Sequence, residues 1–74
     1  MRASKTLKMI MVDKEVSIRD LSEITGKKLS TIYNTFRNDS ISKRGGMTFE
    51  NVVDIAEALG CEVIIRDKET GKIY

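Results

Sequence analysis

Basic side chains are concentrated in the middle of this sequence, where they could bind a polyanion. Residues 26–46 contain one acid, Asp39, and five bases, which are Lys27, Lys28, Arg37, Lys43 and Arg44. From residue 47 onward, six acids outnumber three bases. Although the net charge is only +2, this distribution predicts that a polyanion would contact the middle of the chain. The alternative, that these charges form ordinary solvated faces, fits the pattern equally well.

Small polar side chains lie between two of these bases, Lys28 and Arg37. The amide of Asn34 can bond adenine with both of its polar atoms, and the hydroxyl of Ser30 or Thr31 can reach several base edges or a phosphate. Tyr33 could pack its ring in the core and extend its hydroxyl to a phosphate. The alternative for each is an exposed helix residue. The five bases are candidates for phosphate contacts, which position a protein on DNA without reading its sequence.

The residues needed for catalysis or metal binding are missing. Histidine is absent, and the single cysteine, Cys61, has no candidate base nearby to activate it. Cys61 cannot form an intramolecular disulfide, and no Cys/His spacing predicts zinc binding. We therefore expect no enzyme activity, no metal, no cofactor and no small-molecule ligand. Cys61 is interpreted as a small buried apolar residue.

Two short helices joined at a glycine are predicted to carry the polar side chains. Ser17, with Asp20 three residues later, predicts the N-cap of a helix over residues 18–25. Gly26 can adopt a left-handed backbone and end that helix. The next helix has apolar residues at i, i+3, i+4 and i+7, namely Leu29, Ile32, Tyr33 and Phe36. Residues 17–38 thus form a helix-turn-helix unit, whose second helix, residues 28–38, would enter the major groove.

Two further helices complete a single domain over residues 1–74. Apolar residues at helical spacing after Ser4 predict a first helix that ends near Asp13. A polar loop over residues 39–46 precedes a fourth helix, with Thr48 as its N-cap and Gly60 as its end. The longest N-terminal apolar run, residues 9–12, is too short for a membrane span or a signal peptide. We therefore expect a cytoplasmic protein that does not enter membranes.

The C-terminal residues 61–74 have the pattern of a strand or hairpin. The β-branched run at 63–65 predicts a strand over residues 61–66, followed by a turn at 67–71 and a short return strand at 72–74. Alternation would pack Cys61, Val63 and Ile65 on the helices and leave Ile64 on the wet face. A lone hairpin is marginal in water, so pairing between two copies is expected. The predicted dimer interface is Val63, Ile64 and Ile65.

The stretch LSEITGKKLSTIYNTFR is similar to the helix-turn-helix of the Cro and phage-repressor (XRE-like) class. The later FENVVDIAEALG resembles the next helix of that class, and the resemblance covers residues 4–60. Leu21, Gly26, Ile32 and the IAEALG segment carry it by their order and spacing. It implies a mainly α, four-helix domain, with the C-terminal β-strand or hairpin in place of the class's fifth helix. Two residues depart from the pattern: Ser22 stands where alanine is usual, and Lys27 stands where an apolar residue usually follows the turn glycine.

Two interpretations of the second helix of the unit can be compared. A helical wheel places Lys27, Thr31, Asn34 and Asn38 opposite the apolar stripe, with Ser30 on its flank. The resemblance implies that Leu29, Ser30, Tyr33, Asn34 and Arg37 face DNA. Both favour Ser30 and Asn34, but they disagree on Leu29 and Tyr33, which the wheel would bury. The predicted DNA-binding residues are Lys27, Lys28, Ser30, Thr31, Tyr33, Asn34, Arg37, Lys43 and Arg44.

Three functions are compatible with this sequence. The first is a bacterial or phage transcriptional regulator, a repressor that binds a palindromic operator in double-stranded DNA as a homodimer. The second is an antitoxin-like protein that binds DNA but whose main partner is another protein. The third is a protein-interaction module that does not bind DNA. The bases around residues 28–38 favour the first two.

Overall fold

The computed structural model describes residues 2–41 and 46–74. Within these residues the chain forms four helices: α1 (Ala3–Lys14), α2 (Ile18–Thr25), α3 (Leu29–Ile41) and α4 (Phe49–Ala58). The four predicted helices are confirmed in order, and α2 has the predicted bounds. None of the helices in the described ranges is both long and apolar enough to cross a bilayer.

Hydrogen bonds at the helix ends explain why the predicted bounds are close. Ser17 Oγ accepts the backbone N–H of Asp20 at 3.1 Å, and Asp20 Oδ2 accepts that of Ser17 at 2.9 Å, which forms a full capping box. Thr48 Oγ1 caps α4 by accepting the N–H of Asn51 at 3.2 Å. Gly26 ends α2 with φ +75°, in the left-handed region that glycine adopts at low cost. These three predicted caps are confirmed, whereas α4 ends at Ala58 with Leu59 as its C-cap, one residue before the predicted Gly60.

All four helices contribute to one apolar core. Its buried members are Leu7, Met11, Leu21, Ile32, Phe36, Ile55, Ala56 and Leu59. Both α1 and α2 pack against α3 and against α4. Cys61 packs against this core but is only half-buried, so its interpretation as a small buried apolar residue holds in part. Since α3 packs through Ile32 and Phe36, its opposite face is directed away from the core.

Helix α3 extends three residues beyond the predicted end, and the prediction of a loop starting at Asp39 is wrong. Asp39 follows Ile32 and Phe36 at i+7 and i+3, and it is buried with them. Its carboxylate accepts the N–H of Ser4 at 2.9 Å. It also accepts those of Gly46 and Met47, at 3.1 and 3.2 Å. These donors satisfy the buried carboxylate, so the helix can continue.

The predicted C-terminal strand is not confirmed. Within the described ranges no strand is formed, and Arg66 and Ile73 make an isolated antiparallel bridge. Asp67 donates its N–H to the Lys72 carbonyl at 2.8 Å, and Tyr74 donates to the Ile65 carbonyl at 3.0 Å. The chain therefore turns back as predicted, but two short segments with so few hydrogen bonds do not extend into a ladder.

The expected alternation along residues 61–65 holds only in part. Cys61 and Val63 line a cavity together with α1 and α4, although the side chain of Val63 remains 40% exposed. Ile65 was expected to pack on the helices, but it is 61% exposed, more than Ile64 at 46%. The expectation for Ile65 is wrong. Within the described residues, the chain beyond Val63 makes its backbone hydrogen bonds within the turn and with the return segment and none with the helices, which leaves the Ile65 side chain in solvent.

Candidate nucleic-acid interface

Hydroxyl groups hold the turn between α2 and α3. Ser22 Oγ donates to the Lys27 carbonyl at 2.6 Å. Thr25 Oγ1 donates to the Leu21 carbonyl at 2.7 Å and accepts the Lys27 N–H at 3.2 Å. The hydroxyl that distinguishes Ser22 from the usual alanine thus provides a donor to a turn carbonyl. It helps to fix the direction in which α3 leaves the turn.

Three polar side chains form a stripe on the outer face of α3. Ser30, Asn34 and Arg37 follow one another at i, i+4 and i+7, a spacing that places them on one side of a helix. All three are exposed. Within residues 2–41 and 46–74 their side chains make no ion pair and no hydrogen bond, and the Ser40 hydroxyl bonds the backbone carbonyl of Arg37 rather than its side chain. Their donors and acceptors are therefore free to bind a ligand.

Leu29 and Tyr33 are also exposed, at 42% and 55%. The helical wheel buries them, and this interpretation is wrong, as is the prediction that the Tyr33 ring packs in the core. The buried stripe of α3 consists of Ile32, Phe36 and Asp39. Its centre is therefore rotated away from the side of the helix that carries Leu29 and Tyr33. The exposure of Leu29 and Tyr33 agrees with the resemblance to the Cro and phage-repressor class, which implies that both residues point outward.

The two lysines after the turn glycine have different environments: one is exposed and the other is paired with α4. Lys28 is exposed and has no side-chain partner in the described part of the chain. Lys27 instead points to α4, where its Nζ lies 3.4 Å from Asp54 Oδ2 and donates to Asn51 Oδ1 at 3.3 Å. Lys43 and Arg44 lie outside the described residues. Thr31 is exposed, and its carbonyl accepts the Thr35 hydroxyl at 2.8 Å.

Basic residues in the first half of α1 and just before it were missed by the sequence analysis. Arg2, Lys5 and Lys8 line one surface concavity together with Ser40 of α3. Arg2 donates to the Asp39 carbonyl at 2.7 Å, and Lys8 Nζ lies 6.0 Å from the centroid of the Phe36 ring. A signal was available, since the first fourteen residues contain four bases and one acid. Positive charge therefore also lies beside the C-terminal half of α3.

A model of the Cro/C1-type HTH DNA-binding domain matches residues 6–64, which is most of the chain. The match includes the hydroxyl-bonded turn, the exposed stripe of α3 and helix α4. Comparison with curated proteins and with solved structures gives no significant match.

Proposed function

Because the chain belongs to the Cro/C1-type HTH DNA-binding family, we propose that it is a transcriptional regulator that places α3 in the DNA major groove and reads a specific sequence. The observation that carries this proposal is the unpartnered stripe of Ser30, Asn34 and Arg37, directly opposite the buried Ile32 and Phe36. The major groove admits an α-helix and presents a different donor and acceptor pattern for each base pair. We propose DNA binding rather than catalysis as its activity.

Each exposed side chain of α3 has a role that fits its chemistry. Asn34 is suited to a bidentate contact with adenine, and Ser30 near the start of the helix can reach a neighbouring base edge. Leu29 offers an apolar contact for a thymine methyl group. Lys28 and the hydroxyl of Tyr33 are suited to phosphate oxygens. Arg37 can bind either a phosphate or a guanine, and we propose the phosphate.

Lys43 and Arg44 are proposed as further phosphate contacts on the basis of their charge alone. Thr31 lies on the flank of the outer stripe, where a hydroxyl can bond a base edge or a phosphate. We also propose that the regulator represses, because a protein bound to its operator excludes other DNA-binding proteins without needing another surface.

We further propose that the protein binds a palindromic operator as a homodimer paired through residues 62–66. In an antiparallel pair, successive residues direct their backbone groups to opposite edges. Ile65 and Asp67 bond the return segment, so the backbone groups of Ile64 and Arg66 are directed to the other edge. In the described residues no backbone group of Ile64 has a hydrogen-bond partner. Such an edge, with exposed Val63, Ile64 and Ile65 side chains beside it, favours pairing with a second copy.

Selection of bound sequences from random duplex DNA tests both proposals. A regulator of this kind is expected to enrich one consensus, and a two-fold dimer is expected to enrich a palindrome with half-sites about 34 Å apart. Enrichment of a single asymmetric site would support DNA reading but contradict the two-fold dimer. If no sequence is enriched over the starting pool, the proposed function is wrong.

A further inference from the structure

Lys27 is held at its backbone and at its side chain. The two turn hydroxyls, of Thr25 and Ser22, bond its N–H and its carbonyl at 3.2 and 2.6 Å. Its Nζ donates to Asn51 Oδ1 at 3.3 Å and lies 3.4 Å from Asp54 Oδ2. Asn51 and Asp54 are three residues apart on α4, so they belong to one face of that helix. Lys27 thus connects α4 to the turn that leads into α3.

This environment does not suit a phosphate contact. The ammonium is already neutralised by a carboxylate, and its side chain is 35% exposed. A phosphate approaching Nζ would also approach the negative charge of Asp54, which opposes binding. The adjacent Lys28 is exposed and without a side-chain partner in the described part of the chain, so it offers the charge that a phosphate needs.

We propose that Lys27 is a positioning residue for DNA recognition, which sets the direction of α3 relative to α4 through Asn51 and Asp54. This inference rests on the proposed function, since it requires that α3 reads DNA. Lys27 precedes the first residue of α3 by two positions, so a shift of the turn displaces Ser30 and Asn34 together. Recognition groups lose effect when the residues that support them are loosened by about 1 Å. An exposed ion pair adds little to folding stability, so its removal is expected to leave the free energy of unfolding nearly unchanged.

The variant Lys27→Met keeps most of the apolar stem and removes the charge. Affinity for the selected operator is expected to fall about two- to fivefold, because the lost restraint is worth no more than an exposed ion pair. Affinity for random DNA and the slope of log affinity against log salt are expected to stay unchanged. Lys28→Met is the matched control, expected to weaken binding to both DNAs and to reduce the slope by about one.

Charge exchange separates positioning from general destabilisation. Lys27→Glu and Asp54→Lys are each expected to weaken operator binding, and the double variant, which has the wild-type net charge, is expected to restore most of it. Thermal unfolding followed by circular dichroism checks that each variant is folded. Asp54→Asn provides a second test if Lys27→Glu does not fold, and it should reproduce the selective loss on the operator.

Several results would overturn the inference. One is a reduced salt slope in Lys27→Met with equal losses on both DNAs, which would make Lys27 a phosphate contact. A second is an operator affinity equal to that of the wild type in both Lys27→Met and Asp54→Asn. A third is a folded Lys27→Glu/Asp54→Lys double variant that binds the operator no better than the single variants. These results leave the proposed function intact if the wild type still selects a sequence. A wild type that selects none overturns the inference and the proposed function together.

Discussion

The carboxylate of Asp39, near the end of α3, accepts the backbone N–H of Ser4 in the first turn of α1 at 2.9 Å. The other carboxylate oxygen accepts the N–H groups of Gly46 and Met47, which precede α4. One buried residue therefore joins α3 to the start of α1 and to the entry into α4. The direction of the exposed stripe of α3 depends on this junction as well as on the apolar core.

Replacing Asp39 should destabilise the fold. Asp39→Ala removes the acceptor for three backbone donors and is expected to lower the free energy of unfolding by about 2 kcal/mol, typical of a lost cap or charged hydrogen bond. Urea unfolding measures this change. Asp13→Ala on the exposed face of α1 is the control, expected to stay within about 0.5 kcal/mol of wild type. An Asp39→Ala variant as stable as this control would contradict the role of the junction.

The same residue predicts how stability depends on pH. A hydrogen bond from the Ser4 side chain, with smaller contributions from the backbone N–H groups of Ser4, Gly46 and Met47, lowers the pKa of Asp39 from 3.8 to about 2 despite its burial. Because the folded state favours the charged form, this stabilisation is complete above the unfolded pKa and is lost as pH falls from 3.8 through 2. The stability difference between wild type and Asp39→Ala should therefore shrink over that interval. A difference that stays constant from pH 5 to 2 would disagree with this sign.

Asn34 is expected to determine sequence specificity. Asn34→Ala should cost roughly 1–3 kcal/mol at the selected operator and leave binding to random DNA nearly intact, because a bidentate contact to a base is lost while phosphate contacts remain. Titration of both DNAs by fluorescence anisotropy measures the two affinities. Equal losses on the two DNAs would mean that Asn34 reads no base.

Arg37 is expected to contribute electrostatic affinity that does not depend on sequence. Arg37→Ala should weaken binding to all DNAs and reduce the salt slope by about one, because one phosphate contact and its released counterion are lost. Lys68→Ala, in the exposed C-terminal turn, changes the net charge equally and is expected to leave the slope unchanged. If both variants give the wild-type slope, Arg37 does not contact phosphate.

If the dimer pairs through residues 62–66, a charged side chain at Ile64 should dissociate it. Sedimentation should show a wild-type dimer and a folded Ile64→Glu monomer with weakened operator binding, because two like charges would meet at the paired edge. Val12→Glu is the matched control on α1, where the side chain is 76% exposed, and it should remain dimeric. A wild type that sediments as a monomer at roughly ten times the operator-binding concentration would exclude assembly before DNA binding.

The sequence alone was sufficient to predict the four helices and most of the core. Ser17, Thr48 and Gly26 act on backbone groups within a few residues, so their effect can be predicted without knowing the rest of the fold. The spacing of Ile32 and Phe36 likewise predicted which face of α3 is buried. Ser30 and Asn34 followed as exposed residues because they lie opposite that face.

Only the tertiary structure decided which polar side chains are engaged. Ser4, which bonds Asp39, lies 35 residues from it, and Asn51, which bonds Lys27, lies 24 residues from it, distances at which local periodicity carries no information. The burial of Asp39 also changed the centre of the buried stripe, which exposed Tyr33. A polar side chain is hydrogen-bonded only where packing places a donor or acceptor next to it. For Asp39 and Lys27 that placement depends on how α1, α3 and α4 pack together.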